Sequence, residues 1–221
     1  MKKLLIISIL LVSLNVQLQA QDQISFGVKA GVNFAYATGD ASDSGSQLGY
    51  DEGRTAFHAG LVSELELTEK FSIQPELLYS QVGAAYLFDN RSFDGIRVES
   101  DLNLDYLSLP ILAKYYVFKG LSLELGPQFS YILNSEIENQ ILSSGFISTE
   151  TIIVSDFNIK DDINRFEFGL ALGTSYELLN TGLFIQARYV IGLTEVFDNQ
   201  NFTTSTDLKN AVIQFSVGYK F

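Results

Sequence analysis

The feature that most constrains this chain is its period. From residue 23 onward apolar and polar side chains alternate one by one through long stretches. In AVIQFSVGYKF (211–221), Ile213, Phe215, Val217, Tyr219 and Phe221 are separated by Gln214, Ser216, Gly218 and Lys220. A period of two belongs to a β-strand, whose successive side chains point to opposite faces, not to a helix. Eight such segments fall at about 23–36, 55–67, 71–86, 102–117, 121–133, 163–178, 182–193 and 208–221. The connections at 68–70, 118–120 and 179–181 are short, and those at 37–54, 87–101, 134–162 and 194–207 are long and polar. Short alternating with long is the pattern of an antiparallel up-and-down meander trimmed at one end.

Each strand sorts by parity into an apolar and a polar face. Phe26, Val28, Ala30, Val32 and Phe34 oppose Ser25, Gly27, Lys29, Gly31 and Asn33. Phe166, Phe168, Leu170, Leu172, Thr174 and Tyr176 oppose Arg165, Glu167, Gly169, Ala171, Gly173 and Ser175. Leu183, Ile185, Ala187, Tyr189 and Ile191 oppose Phe184, Gln186, Arg188, Val190 and Gly192. A soluble sandwich or lipocalin-like barrel buries the apolar face, whereas a transmembrane barrel turns it to lipid and the polar face to the lumen. Three features favour the second.

The polar face is rich in glycine (27, 31, 60, 126, 169, 173, 192, 218). Glycine weakens a strand and is of no use on a solvent face, but it makes room inside a crowded small barrel. The charges of that face are nearly balanced: Glu64, Glu66, Glu76, Glu124, Glu167 and Glu177 against Lys29, Lys114, Arg165, Arg188 and Lys220. Aromatic residues recur toward strand ends (Phe34, Tyr36, Phe57, Phe71, Tyr115, Phe118, Tyr176, Tyr189, Tyr219, Phe221), as interfacial girdles do. All segments reach the ~9–11 residues a spanning strand needs. The expected fold is all-β: an eight-stranded antiparallel up-and-down transmembrane β-barrel with short periplasmic turns and four long extracellular loops.

Residues 1–20 read as a cleaved signal peptide. Lys2 and Lys3 form its basic start, Leu4 to Val12 an apolar run broken by Ser8, and Leu18-Gln19-Ala20 the cleavage site. The run is shorter than the ~20 residues of a spanning helix, and no later segment reaches that length. Residues 21–221 then form one outer-membrane β-barrel domain. Without Lys2 and Lys3 the balance is 12 − 26 = −14, most of it in the long connections. Such a surface excludes nucleic-acid binding. The absence of cysteine excludes disulfides, thiol chemistry, zinc fingers and cysteine-linked lipid anchors.

A turn symmetric about Lys119 pairs positions that sum to 238. Lys114 then lies opposite Glu124, as a sealed interior requires of its charges. Pro110 lies opposite Gln128, beside Pro127. Proline lacks a ladder donor and is normally confined to edges and bulges. Pro75, Pro110 and Pro127 all fall within strands of a sheet expected to have no edge, which predicts a bulge or water-filled gap in 108–129.

The stretches IQPELLYSQVG, DYLSLPILAKYYV, LELGPQFSYIL, FEFGLALGTSYEL and ARYVIGLTEV resemble the recurrent strand motifs of the PorT-like outer-membrane β-barrel domain family of Bacteroidota. The resemblance covers essentially the whole chain after the signal peptide, least in the long connections. It implies a barrel of the Gram-negative envelope, and the family's founding member is associated with the type IX protein secretion system. It implies no catalytic residue.

Motifs for chemistry are sparse. His58, the single histidine, faces inward by parity with Gly60 and Glu64, near the long-connection end. A catalytic base there would need an orienting carboxylate, for which Asp51, Glu52 and Asp105 are candidates; Ser63 has the wrong parity. A hydrogen-bonded interior histidine is the plainer expectation. GDASDSG (39–45) misses the spacing of a calcium loop. GLALGTS (169–175) lies within a strand, so it opens no helix for a nucleotide.

The chain is therefore expected not to be an enzyme and to have no catalytic, cofactor-binding or metal site. The expected role is structural or interaction-based in the cell envelope, linked to protein secretion. A narrow channel for a small solute or ion and a rim-located enzyme are the alternatives. Expected partners are outer-membrane lipid and lipopolysaccharide, and the barrel assembly machinery through the C-terminal strand with Phe221. A secretion-system or surface protein is expected through the 134–162 loop. That loop carries Ile147, Ile152, Ile153 and Val154, and is read as a hairpin extending the barrel or a cover over its mouth.

Overall fold

A computed structural model describes residues 23–38, 51–90, 96–145, 148–158, 164–194 and 209–221. Its strands are β1 (Ile24–Thr38), β2 (Asp51–Thr68), β3 (Phe71–Asn90), β4 (Ile96–Phe118) and β5 (Leu121–Gly145), followed by β6 (Ser148–Asn158), β7 (Phe166–Glu177), β8 (Leu183–Gly192) and β9 (Lys209–Lys220). All neighbours are antiparallel, and β1 pairs with β9, so the sheet closes. The barrel has the eight expected strands; β6 is a ninth that pairs with the far half of β5, from Glu136↔Asn158 to Gly145↔Ser148. The 134–162 segment thus takes the hairpin form of its two expected forms. The expected signal peptide, the GDASDSG motif and the side chains of Asp51 and Glu52 lie outside the described residues.

The faces follow the parity. Lys29, Asn33, Gln186 and Arg188 are buried in the lumen, whereas Phe26, Val28, Val32, Leu172 and Ile185 are exposed on the outside. The outward apolar rows Phe26–Tyr36, Leu107–Val117, Leu123–Leu133 and Phe166–Tyr176 each match the ~9–11 residues that cross a bilayer. Aromatics edge the belt. Phe71, Tyr115, Phe118 and Phe221 are exposed at the turn end. At the other end, the loop end, Phe57 packs on Tyr79 (5.7 Å between centroids), Phe129 on Phe168 (5.4 Å) and Tyr131 on Phe166 (4.9 Å). The N–H of Phe221 donates to the carbonyl of Phe26 at 2.8 Å, so pairing across the seam runs to the last residue.

The glycines make room for something other than bulky side chains alone. A Cβ on Gly31 would lie 2.0 Å from the carbonyl oxygen of Phe215 on the neighbouring strand, and one on Gly126 would lie 2.0 Å from that of Ile111. Strong coiling of a small barrel brings adjacent backbones this close, and only a residue without a side chain permits it.

The expected bulge at the prolines is not there. Pairs from Tyr106↔Ile132 to Tyr116↔Ser122 keep one register, with Pro110↔Gln128 inside it. Instead, each proline interrupts one ladder while the register continues. Pairing between β2 and β3 stops at Val62↔Glu76 and resumes at Leu65↔Ile73, around Pro75. Between β3 and β4 it stops at Leu78↔Ser108 and resumes at Pro75↔Ile111, around Pro110. Between β4 and β5 it stops at Pro110↔Gln128 and resumes at Ala113↔Leu125, around Pro127. Each proline turns its donor-less nitrogen to the preceding strand and stays paired with the following one, as in Pro127↔Leu170. A missing donor removes a hydrogen bond but not the alignment, because the rows on either side still fix it.

The true bulge in this hairpin lies further up. Tyr106 pairs with Ile132 and Asp105 with Asn134, so Leu133 is the extra residue of β5. Above it the pattern inverts: Leu102, Leu104 and Tyr106 are buried, while Asp101, Asn103 and Asp105 point outward. Below it Leu107, Leu109 and Ile111 point outward. The outer solvent therefore changes from hydrocarbon to water between Leu107 and Asp105. Arginine in place of Leu125, mid-belt on β5, should destabilise the barrel refolded in lipid vesicles by about 2–4 kcal/mol, and Asp101→Arg by about 0–1 kcal/mol, in denaturant titrations. Equal costs would contradict this boundary.

Candidate functional site

Closing the sheet places the polar faces of eight strands around one narrow lumen, where Glu177 and Lys220 stand at the turn-end mouth but Lys29, Glu64, Glu76, Lys114, Glu124 and Arg188 are shut off from bulk water. They reach each other instead. Glu76 on β3 accepts a bidentate pair from Arg188 on β8 (2.9 and 2.7 Å) and an ion pair from Lys29 on β1 (2.8 Å). Gln186 joins this group to the next, accepting from Lys29 at 2.8 Å and donating to Glu124 at 2.7 Å. Lys114 on β4 contacts Glu64 (3.1 Å), Glu177 (3.5 Å) and Glu124 (3.8 Å), and donates to Gln74 at 3.0 Å. Lys220 on β9 bridges Glu64 and Glu177. The Tyr116 hydroxyl lies 2.5 Å from Glu64 and 3.1 Å from Glu177 at the turn-end mouth.

The charges cancel: Glu64, Glu76, Glu124 and Glu177 against Lys29, Lys114, Arg188 and Lys220. Every barrel strand supplies at least one member. Burying any one of these groups alone would cost several kcal/mol, on the order of the whole stability of a small domain. The network is thus required for closure as much as produced by it.

The expected Lys114–Glu124 pair is in register, but Glu64, on the far side of β3, is the closer partner. Glu66 and Arg165, also assigned inward by parity, are exposed. Glu66 keeps its inward register, paired with the buried Ser72, but stands at the open turn-end mouth beside Tyr116 and Glu177, whereas Arg165 precedes β7. Parity carries no information past the end of regular pairing. The neutral members Gln74, Gln186, Ser72 and Tyr116 do not stand out in the sequence as members of a charge network. Their only sequence signal is membership of the inward parity, which they share with residues that bond nothing charged.

Above the charges lies a polar layer around His58. Its Nδ1 is 2.7 Å from Asn33 Oδ1 and its Nε2 2.7 Å from Ser216 Oγ. Asn33 Nδ2 donates to the Gln81 carbonyl at 2.7 Å, which fixes that amide with its oxygen toward His58. His58 therefore carries a proton on Nδ1, while its Nε2 is bonded to the Ser216 hydroxyl. Asp105, one carboxylate considered for it, accepts from Gln81 at 2.9 Å instead. Both ring nitrogens are committed, in a side chain with no solvent exposure. Higher still, Val82, Leu104, Tyr106, Ile132, Val190 and Val212 form an apolar layer across the lumen. GLALGTS lies in β7, and among the described residues no three His, Cys, Asp or Glu side chains cluster as metal ligands. No helix among them is long and apolar enough to cross a membrane, which says nothing about crossing by strands.

Residues 19–198 match the sequence family described as "Outer membrane protein beta-barrel domain". No curated protein matches the chain. Among solved structures, the chain is similar to the attachment invasion locus protein Ail of Yersinia pestis, with 14% identity, TM-score 0.48, 90% of this chain and 99% of that one covered. A major outer membrane protein of Thermus thermophilus has 14% identity, TM-score 0.49, and 90% and 99% coverage. The outer membrane protein OprG of Pseudomonas aeruginosa has 13% identity, TM-score 0.41, and 89% and 95% coverage.

Breaking the balance should cost more than removing a balanced pair. Arg188→Met leaves an acidic surplus and should lower stability in micelles by about 3–5 kcal/mol. The Glu76→Leu, Arg188→Met double variant restores neutrality and should be less destabilised than the single one in urea titrations. Losses that simply add would contradict a network held by charge balance.

Proposed function

The chain belongs to the outer membrane protein beta-barrel domain family and resides in the outer membrane, and from that premise we propose that it works there as a sealed barrel. In this reading it acts through its outer surface and its loop end, not through its lumen. The observation that carries this is the double closure of the interior: a charge-neutral network tied to every barrel strand, and an apolar layer above it. An ion crossing such a lumen from end to end would have to break the buried pairs of the charged network. The narrow-channel alternative lacks support on that ground. The base considered for the rim-enzyme alternative, His58, has both ring nitrogens engaged.

The finer kinship with PorT-like barrels, and with it a role linked to protein secretion, rests on the strand motifs. The β5–β6 hairpin is the feature that supports this reading. Paired strands projecting past the barrel wall are a preformed surface, and rigid surfaces bind at low ordering cost. In this reading a secretion-system or surface protein docks on the hairpin, while lipid and lipopolysaccharide surround the belt.

Planar-bilayer recordings of the purified barrel should show no conductance steps; discrete, reproducible steps would overturn the sealed lumen. Affinity purification from native outer membranes should recover a secretion-system or surface protein with the wild-type chain, and lose it when the hairpin is replaced by a short turn. Equal recovery from both chains would remove the hairpin as the docking surface.

A further inference from the structure

We propose that the loop-end half of the lumen binds one monovalent metal cation of the sodium class, with Glu167 as its charged ligand and the amide oxygens of Gln128 and Gln214 as neutral ones. The three residues line one cavity of about 20 Å³, shared with Tyr106, Asn210 and Ser130. That volume exceeds the ~10–15 Å³ a single water-sized body needs.

The chemistry of the lining is lopsided. Glu167 accepts from Asn210 at 2.7 Å, but among the described residues no ion pair involves it, unlike the four carboxylates of the network below. The side-chain oxygens of Gln128 and Gln214 are buried and have no partner. The Gln214 oxygen is not a misassigned nitrogen. Asn33 Nδ2 donates to the Gln81 carbonyl, a group that can only accept, so Asn33 presents its oxygen to Gln214. Gln214 must then offer its nitrogen to Asn33, at 3.1 Å, and turn its own oxygen to the cavity. Gln128 places its nitrogen 3.3 Å from the Ser130 hydroxyl, which leaves its oxygen without a partner.

A carboxylate without a cation and two orphaned acceptors describe a site short of positive charge. A water offers two protons and no net charge; a metal cation satisfies several oxygens at once and neutralises Glu167. One carboxylate with neutral oxygens suits a monovalent ion. Hard divalent ions usually draw more carboxylates, and zinc-type ions nitrogen or sulfur, and no such cluster exists among the described residues. Glu167, the second residue of β7, is half-buried and takes no part in the charged network beneath it.

The test compares thermal unfolding of the refolded barrel in micelles, in sodium chloride and in N-methylglucamine chloride at equal ionic strength. The wild-type midpoint should be higher in sodium and rise with its concentration as ligand linkage requires. Glu167→Gln should unfold at the same temperature in both salts. Equal wild-type midpoints, or a sodium response that survives Glu167→Gln, would overturn the site. A second reading does not depend on the variant folding. Wild-type crystals soaked in thallium(I) should show an anomalous peak within ligand distance of Glu167 and Gln214; ordered water there without anomalous signal would overturn the proposal.

Discussion

The structure depends on the neutralisation of Glu76. This carboxylate lies at the centre of a lumen too narrow for bulk water, and its countercharges arrive from strands far away in sequence, Arg188 on β8 and Lys29 on β1. Arg188 cannot reach it until the sheet has closed, whereas Lys29 reaches it across β2 within the β1–β2–β3 meander, and the closed sheet cannot tolerate it without them. The same holds around the ring, where Glu64 collects Lys114, Lys220, Ser72 and Tyr116 from four strand positions. In hydrocarbon every backbone group must also be paired, so an open edge is forbidden for a separate reason. Wall and lumen therefore impose the same topology, one through hydrogen bonds and the other through charge.

A single strand shows how two solvents are written into one pattern. On β4 the even positions from Leu102 to Lys114 all face inward, but their chemistry runs from apolar to charged. The odd positions run the other way, from Asp101 and Asp105 to Leu107, Leu109 and Ile111. Where lipid surrounds the barrel, polar groups fill it; where water does, an apolar core fills it. The bulge at Leu133 lets β5 follow this change, bringing Ser135 inward beside Leu104 although its parity differs from that of Ile132. The prolines need no such device, since each breaks one ladder locally and leaves the alignment to its neighbours.

The fold was legible because period, segment length and connection length are local properties that a strand must satisfy alone. The inward placement of Lys29, Asn33 and Arg188, the Lys114–Glu124 register and the closing role of the last strand all follow from counting along the chain. What was not legible is set between strands. That His58 would bond Ser216, 158 positions away, depends on the register of β1 with both β2 and β9, where Gly31 pairs with each of them and leaves the space between them open. The inversion at Leu102, Leu104 and Tyr106 lies in the sequence, but a parity rule that equates apolar with lipid-facing reads it backwards. Parity misplaces Arg165, which precedes β7, and it cannot tell that Glu66, in register with the inward Ser72, stands at the open mouth. The expected proline bulge failed because a lost donor was equated with a lost register.

The central claim is that the lumen is closed by direct, water-excluding ion pairs. Solid-state NMR of the barrel in lipid bilayers, with labelled arginine, lysine and glutamate, tests it most directly. Dipolar recoupling should place the Arg188 guanidinium nitrogens in direct contact with the Glu76 carboxylate, and water-edited spectra should show neither side chain receiving magnetisation from mobile water. A guanidinium that exchanges with mobile water, with no recoupling to Glu76, would mean that the lumen is solvated and that charge pairing does not hold the barrel shut.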